Sequence, residues 1–167
     1  SITNLFKTLP INPNIIIILT DDQGWGDLSL HGNSNIRTPN LDQIANNGVR
    51  FNRFYVSPVC SPTRAELLTG KFFFKSGVNG VTKGYERMNL DHQLVSSFFK
   101  KKSYRTALFG KWHNGSQPPY HPNNRGFEEF YGFTSGHWGK YFDPIMEKNG
   151  QLTSCLLYTS PSPRDIS

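Results

Sequence analysis

The sequence predicts an α/β fold, with a mostly parallel sheet flanked by helices. Three observations carry that expectation. The first is a continuous β-branched run, Asn14 to Leu19, of the kind that suits a strand buried on both faces. The second is the order strand, helix, strand across residues 14–56, which is the βαβ pattern of a parallel sheet. The third is a set of polar clusters at the predicted strand ends, where open α/β sheets gather their functional residues.

Each element has its own reason. The run Asn14 to Leu19 ends on Thr20-Asp21-Asp22. Thr38 is placed to cap a helix, Pro39 suits its first turn, and Leu41, Ile44 and Ala45 form its apolar stripe. Gly48 ends it. Val49 to Val56 reads as the next strand and leads into a loop bounded by Pro58 and Pro62, which holds Cys60. A short helix is expected from Thr63 to Leu68, stopped by Gly70. The segment 71–89 is glycine-rich and irregular. Asp91 is placed to cap a helix through Leu94, Val95, Phe98 and Phe99. Arg105 to Phe109 reads as a further strand, ending at Gly110-Lys111-Trp112-His113. Residues 115–124 hold three prolines and read as loop.

Composition narrows the function classes. The chain has 167 residues, 36% of them apolar and 18% charged, which is globular composition with enough length for a core. No apolar window reaches the roughly 18 residues of a membrane span. The net charge of +6 fits an anionic substrate. Lys100-Lys101-Lys102 reads as a solvated helix face, since no aromatic interleaving marks a nucleic-acid site. Ser1 opens without a basic, apolar leader, so either a signal peptide has been removed or sequence precedes it. Cys155 to Asp165 matches a translated sequencing adapter and reads as an artefactual tail, 155–167. Cys60 is then the only natural cysteine, and no disulfide framework explains it.

Three clusters are candidates for chemistry. Asp21 and Asp22 are adjacent carboxylates that repel unless a cation or hydrogen bonds neutralise them. Hard oxygen ligands suit calcium or magnesium, and a polar turn is the alternative. Read alone, Cys60 is an inert small side chain or a thiolate activated beside Arg64. Arg64, four residues on, returns to the same helix face. Lys111-Trp112-His113 places a cation and an imidazole at a predicted strand end, and an amphipathic strand end accounts for it equally well.

The segment Ser57-Pro58-Val59-Cys60-Ser61-Pro62-Thr63-Arg64-Ala65-Glu66-Leu67-Leu68-Thr69-Gly70 resembles the signature of the type I, formylglycine-dependent sulfatases. Tyr104 to His113 resembles their second signature, with Ser103, Phe109 and Asn114 as departures; the family often has leucine at the last of these. Asn124-Arg125-Gly126-Phe127 is also sulfatase-like and reads as structural. The resemblance implies an alkaline-phosphatase-like α/β fold, here incomplete, with 1–154 as the N-terminal part of a catalytic domain. It implies sulfuric ester hydrolysis of the arylsulfatase type. Cys60 would be converted by a maturation enzyme to formylglycine, whose hydrated aldehyde is the nucleophile. Asp21, Asp22 and the modified Cys60 would ligate calcium, with magnesium as the alternative. Arg64, Lys111 and His113 would orient and assist the nucleophile, and Lys111 would also bind sulfate. Ser135 and His137 are substrate-binding candidates in an aromatic, glycine-rich stretch; His137 reads equally as a packed structural histidine. The partners implied are a sulfate ester, with a sulfated carbohydrate among the open choices, and the maturation enzyme. The localisation implied is export or a lysosome-like compartment.

Later metal ligands and the group that protonates the leaving alcohol are expected beyond this chain, so the 167 residues alone are expected to be inactive. Two alternatives stand beside this reading. One is a phosphonate or phosphate monoester hydrolase of the same superfamily. The other is a non-catalytic binding module with unmodified Cys60.

Overall fold

The structure is a computed structural model that describes residues 12–137 and 144–154. The tail 155–167 lies outside the described residues. The chain divides into two compact units, 1–52 and 53–167, each taken by itself below.

In the first unit the helix α1 spans Pro39–Asn47, as the proline and the apolar spacing require. Thr38 stands at its N-cap, but its hydroxyl does not bond the helix backbone. It donates instead to Asp42 Oδ1 at 2.9 Å and accepts from the Ser29 amide at 3.0 Å. Ser29 Oγ also donates to Asp42 Oδ2 at 2.6 Å, and the Leu30 amide to Oδ1 at 3.2 Å. Asp42 thus gathers the turn at Ser29–His31 onto the helix. Trp25 stacks on His31 with ring centroids 4.0 Å apart.

Two expected strands are corrected. Asn14 to Leu19 is extended but joins no ladder, and Ile16 is 82% exposed. Residues 49–56 contain a turn at 52–53 and are likewise exposed, apart from strand pairing. A strand is a property of a pair. Propensity made both segments extended, but among the described residues neither is part of a strand ladder.

The second unit holds the helix α2, Cys60–Thr69, the helix α3, Val95–Lys100, and four strands. These are β1 (Ala107–Lys111), β2 (Glu129–Phe133), β3 (Ile145–Lys148) and β4 (Gln151–Ser154), in sheet order 1-2-3-4. β1 and β2 are parallel; β2–β3 and β3–β4 are antiparallel, so the described sheet is mixed. The hairpin between β3 and β4 turns on Asn149-Gly150, both at positive φ (51° and 82°), the residue pair that a two-residue hairpin favours. α2 starts three residues before the expected Thr63. Pro62 fits its first turn, where the missing N–H would be unpaired in any case. Gly70, at φ 67°, ends it with a bond to the Glu66 carbonyl. Leu94, not Asp91, stands at the N-cap of α3, with no side-chain capping bond; Asp91 Oδ1 lies 3.7 Å from His92 Nε2. β1 runs two residues past the expected Phe109, because Gly110 and Gly132 face each other across the parallel pair. An added Cβ on Gly132 would come within 2.7 Å of the Gly110 carbonyl carbon.

The core consists of Ala65, Val78, Met88, Leu94, Trp112, Phe127 and Phe130, with Leu68 and Leu108 packed against it. Each large side chain fully buried there contributes about 1.5–3 kcal/mol. Arg125 is buried with the core and donates to the carbonyls of Asn89 and His92, which bears out the structural reading of its segment. His121 and Glu147 are hydrogen-bonded and tie the loop after β1 to β3. The core therefore backs both α2 and the carboxyl end of β1.

Candidate active site

Cys60 is the first residue of α2, after an extended Val59. A helix N-terminus presents unpaired amides and a partial positive charge, so it favours an anion beside the first residue. The other half of the site comes from β1. Its pairing continues past Lys111: the Trp112 amide bonds Phe133 O at 3.0 Å and the His113 amide bonds Thr134 O at 3.3 Å. This delivers His113 to the start of α2. Cys60 Sγ lies 3.2 Å from His113 Nδ1.

The ring's other nitrogen, Nε2, lies 2.8 Å from the Val81 carbonyl oxygen. A carbonyl only accepts, so in the neutral ring Nε2 carries the proton and Nδ1 presents its lone pair to Cys60. His113 is 3% exposed, and burial pushes its pKa below the ordinary 6.5. The Lys111 and Arg64 charges push the same way, while the Val81 bond and Glu86 oppose them. His113 is therefore neutral at pH 7, with its Nδ1 lone pair facing Cys60 Sγ.

Arg64 is 8% exposed and donates from Nη1 to the Lys111 carbonyl at 2.7 Å. The i to i+4 spacing does return it to the Cys60 face, where it pins α2 to the end of β1. Lys111 is half-buried at that end. Ser135 and His137 flank Gly136, which packs against the His113 ring. A Cβ there would fall within 2.8 Å of Cδ2 and closer still to Nε2. Ser135 Oγ donates to the His137 carbonyl at 3.1 Å, and the His137 side chain is exposed.

Asp21 and Asp22 belong to the first unit, on a bend, and both are exposed; Asp22 has φ 51°. Their paired hard oxygens fit a calcium- or magnesium-type cation. Among the described residues no three His, Cys, Asp or Glu side chains cluster as a metal site. A full shell of about six to eight oxygens for calcium needs donors beyond these two.

Residue-by-residue reading missed Ser61, Val81, Asn114 and Gly136. Ser61 Oγ donates to the His113 carbonyl at 2.8 Å, and Asn114 Nδ2 donates to Ser61 O at 3.2 Å. Nothing local in the sequence marks these contacts, since they join positions about fifty residues apart. Glu66 was also missed: it accepts from Ser57 Oγ at 3.0 Å and from the Phe73 amide at 3.2 Å, and so braces the loop before Cys60.

Comparison with known proteins places this geometry. The sulfatase family model matches residues 13–148. N-acetylgalactosamine-6-sulfatase of Rattus norvegicus is 39% identical over 149 residues, which is 81% of this chain and 28% of that protein. Arylsulfatase G of Mus musculus is 40% identical over 129 residues, covering 75% of this chain and 25% of that protein. The chain thus spans about a quarter of the length of these curated relatives. Among solved structures, Ps i-CgsB superposes with a TM-score of 0.75 at 33% identity, covering 84% of this chain and 37% of that one. BT4656, solved with its substrate D-glucosamine-2-N,6-O-disulfate, gives a TM-score of 0.69 at 33% identity, covering 85% of this chain and 27% of that one.

Proposed function

The chain belongs to the sulfatase family, with its alkaline-phosphatase-like fold, and from that premise we propose that the whole protein hydrolyses sulfuric esters at Cys60. Residues 1–154 are then the N-terminal portion of a sulfatase catalytic domain, and 155–167 are foreign to it. The observation that carries the reading is the Cys60–His113 contact at 3.2 Å, inside the matched region and at a helix N-terminus.

The family is in general formylglycine-dependent with a divalent metal. Conversion of Cys60 to formylglycine supplies a hydrated aldehyde, whose hydroxyl is a nucleophile toward the sulfate sulfur. The fit at Cys60 is chemical: a hydroxyl on the Cβ of the converted residue would face the acceptor lone pair at His113 Nδ1. His113 takes a proton at Nδ1 while Nε2–H stays on Val81 O, so the ring keeps its orientation as it becomes charged. Lys111 and the amino end of α2 hold the negative sulfate. Arg64 keeps the end of β1 against α2. Asp21 and Asp22 are the residues of this chain that would hold a divalent cation such as calcium, which would supply Lewis-acid chemistry toward a sulfate ester. Ser135 and His137, on either side of Gly136, are the candidates to meet the alcohol portion of the substrate.

The substrate class this reading favours is a sulfated carbohydrate, since BT4656 was solved with a sulfated glucosamine. Export or a lysosomal compartment follows from the family. No helix among the described residues is long and apolar enough to cross a membrane.

The test has two parts. The chain is co-expressed with a formylglycine-generating enzyme, and the peptide containing Cys60 is weighed. The expected mass is lower by the difference between a thiol and an aldehyde. The full-length protein is then assayed on the sulfate and phosphate esters of one phenol. Turnover of the sulfate, abolished by Cys60→Ala, is expected; preference for the phosphate sinks the reading.

A further inference from the structure

We propose that Ser61 and Asn114 are paired positioning residues, a buried polar clamp that holds His113 in a left-handed backbone conformation with Nδ1 on Cys60. His113 has φ 63°, a region that a residue with a Cβ avoids unless its surroundings impose it. Two groups impose it here. The His113 carbonyl accepts the Ser61 hydroxyl proton at 2.8 Å. Asn114 Nδ2 then donates to Ser61 O at 3.2 Å and to Ser61 Oγ at 3.0 Å, with a longer approach to Glu86 O at 3.4 Å.

The donors and acceptors are assigned without ambiguity. Ser61 O and Glu86 O accept only, so the amide nitrogen of Asn114 must face them. Ser61 spends its one proton on the His113 carbonyl and accepts at the same oxygen from Asn114. Ser61, His113 and Asn114 are 0%, 3% and 1% exposed, so water does not compete for these bonds.

Placement turns this network into a device. Ser61 follows Cys60 in the first turn of α2, and Asn114 follows His113 after β1. The clamp therefore joins the residues next to the two proposed reacting groups. Cys60 and His113 cannot separate, and His113 cannot relax to negative φ, without breaking buried hydrogen bonds. Asn114 also stands where the resembled signature often has leucine, which has no donor for Ser61. The clamp rests on the sulfatase reading only for its consequence in catalysis; its bonds stand on their own.

The experiment reads the His113 imidazole directly in the 167-residue chain, labelled with ¹⁵N-histidine, at a pH above 6.5, where the ring is neutral. In the unsubstituted chain the two ring nitrogens are expected to be well separated, with Nε2 protonated and Nδ1 bare. Ser61→Ala and Asn114→Asp each remove one arm of the clamp with little change in volume. In both, the ring is expected to lose Val81 and the two nitrogen resonances to converge toward a mixed-tautomer average, while the far-ultraviolet circular dichroism is retained. Unchanged His113 nitrogens in both folded variants overturn the proposal, and so does a change in only one of them. Should Asn114→Asp fail to fold, Asn114→Leu takes its place beside Ser61→Ala. Hydrolysis is not read, so failure of the sulfatase reading and failure of the clamp give different results.

Discussion

Gly136→Ala isolates how tightly the His113 ring is held. Gly136 is not among the positive-φ glycines, so alanine is compatible with its backbone and the effect is purely one of space. The new Cβ would fall within 2.8 Å of His113 Cδ2 and nearer to Nε2 and Cε1, whereas ordinary contact begins at 3.4 Å. The ring must retreat by more than half an ångström. It is bracketed by Val81 O at 2.8 Å on one nitrogen and Cys60 Sγ at 3.2 Å on the other, so retreat lengthens at least one contact. Overpacking a filled site costs about 1–3 kcal/mol. Loss of the Val81 bond adds about 1 kcal/mol. The sum lowers the Tm by on the order of 10 °C for a unit of this size. Thermal unfolding followed by circular dichroism measures it. Gly26→Ala is the control, since nothing lies within 4 Å of its added Cβ. In the full-length protein the same substitution is expected to lower kcat by about a hundredfold, the effect of displacing a reacting group by about 1 Å. A Tm equal to the control's, with His113 nitrogens unmoved, would refute the reasoning.

Three further outcomes are expected. Arg64→Met removes the 2.7 Å charge-assisted bond to the Lys111 carbonyl and should destabilise the second unit by about 1.5–3 kcal/mol, read as a lower urea midpoint; Arg64→Lys should recover little, because an ammonium lacks the planar fork. Asp42 has its pKa lowered, chiefly by the Ser29 hydroxyl and further by Thr38 and the Leu30 amide, against an opposing desolvation. Its contribution is thus present above about pH 4, the unfolded carboxyl value, and is lost as pH falls through the lower folded value. Protection of the Leu30 amide, relative to its intrinsic exchange rate, should fall over that acid range, and in Asp42→Asn it should already be low at neutral pH. His113 has a depressed pKa as well, so the stability it contributes is present above 6.5 and is lost as pH falls through the folded value. Lys111→Met removes one cause of the depression, and the imidazole titration followed by NMR should move up toward 6.5.

How much was legible followed from how local each signal was. The helix Pro39–Asn47 was readable because Pro39 at its first position and the apolar spacing lie within its own nine residues. The Cys60 signature was readable because the whole pattern lies within one loop and one helix. Asn149-Gly150, where β3 turns into β4, is an equally local hairpin signal, though no hairpin was expected there. Asn14 to Leu19 and Val49 to Val56 were misread because β-branched composition sets an extended backbone but does not supply a partner strand. Asp91 was misread as a cap because a carboxylate before an apolar stripe is compatible with several helix starts, and packing chose Leu94.

The sequence by itself determined the family, because short runs of side chains carry its signatures. It also determined α1 and the left-handed glycine stop of α2. Only the tertiary structure decided which nitrogen of His113 faces Cys60, why that ring is neutral, and that Ser61, Asn114, Val81 and Gly136 hold it there. Those are matters of contact between segments far apart in the chain. A buried histidine's tautomer and charge are set by whichever carbonyl, hydroxyl and cation the fold brings to it.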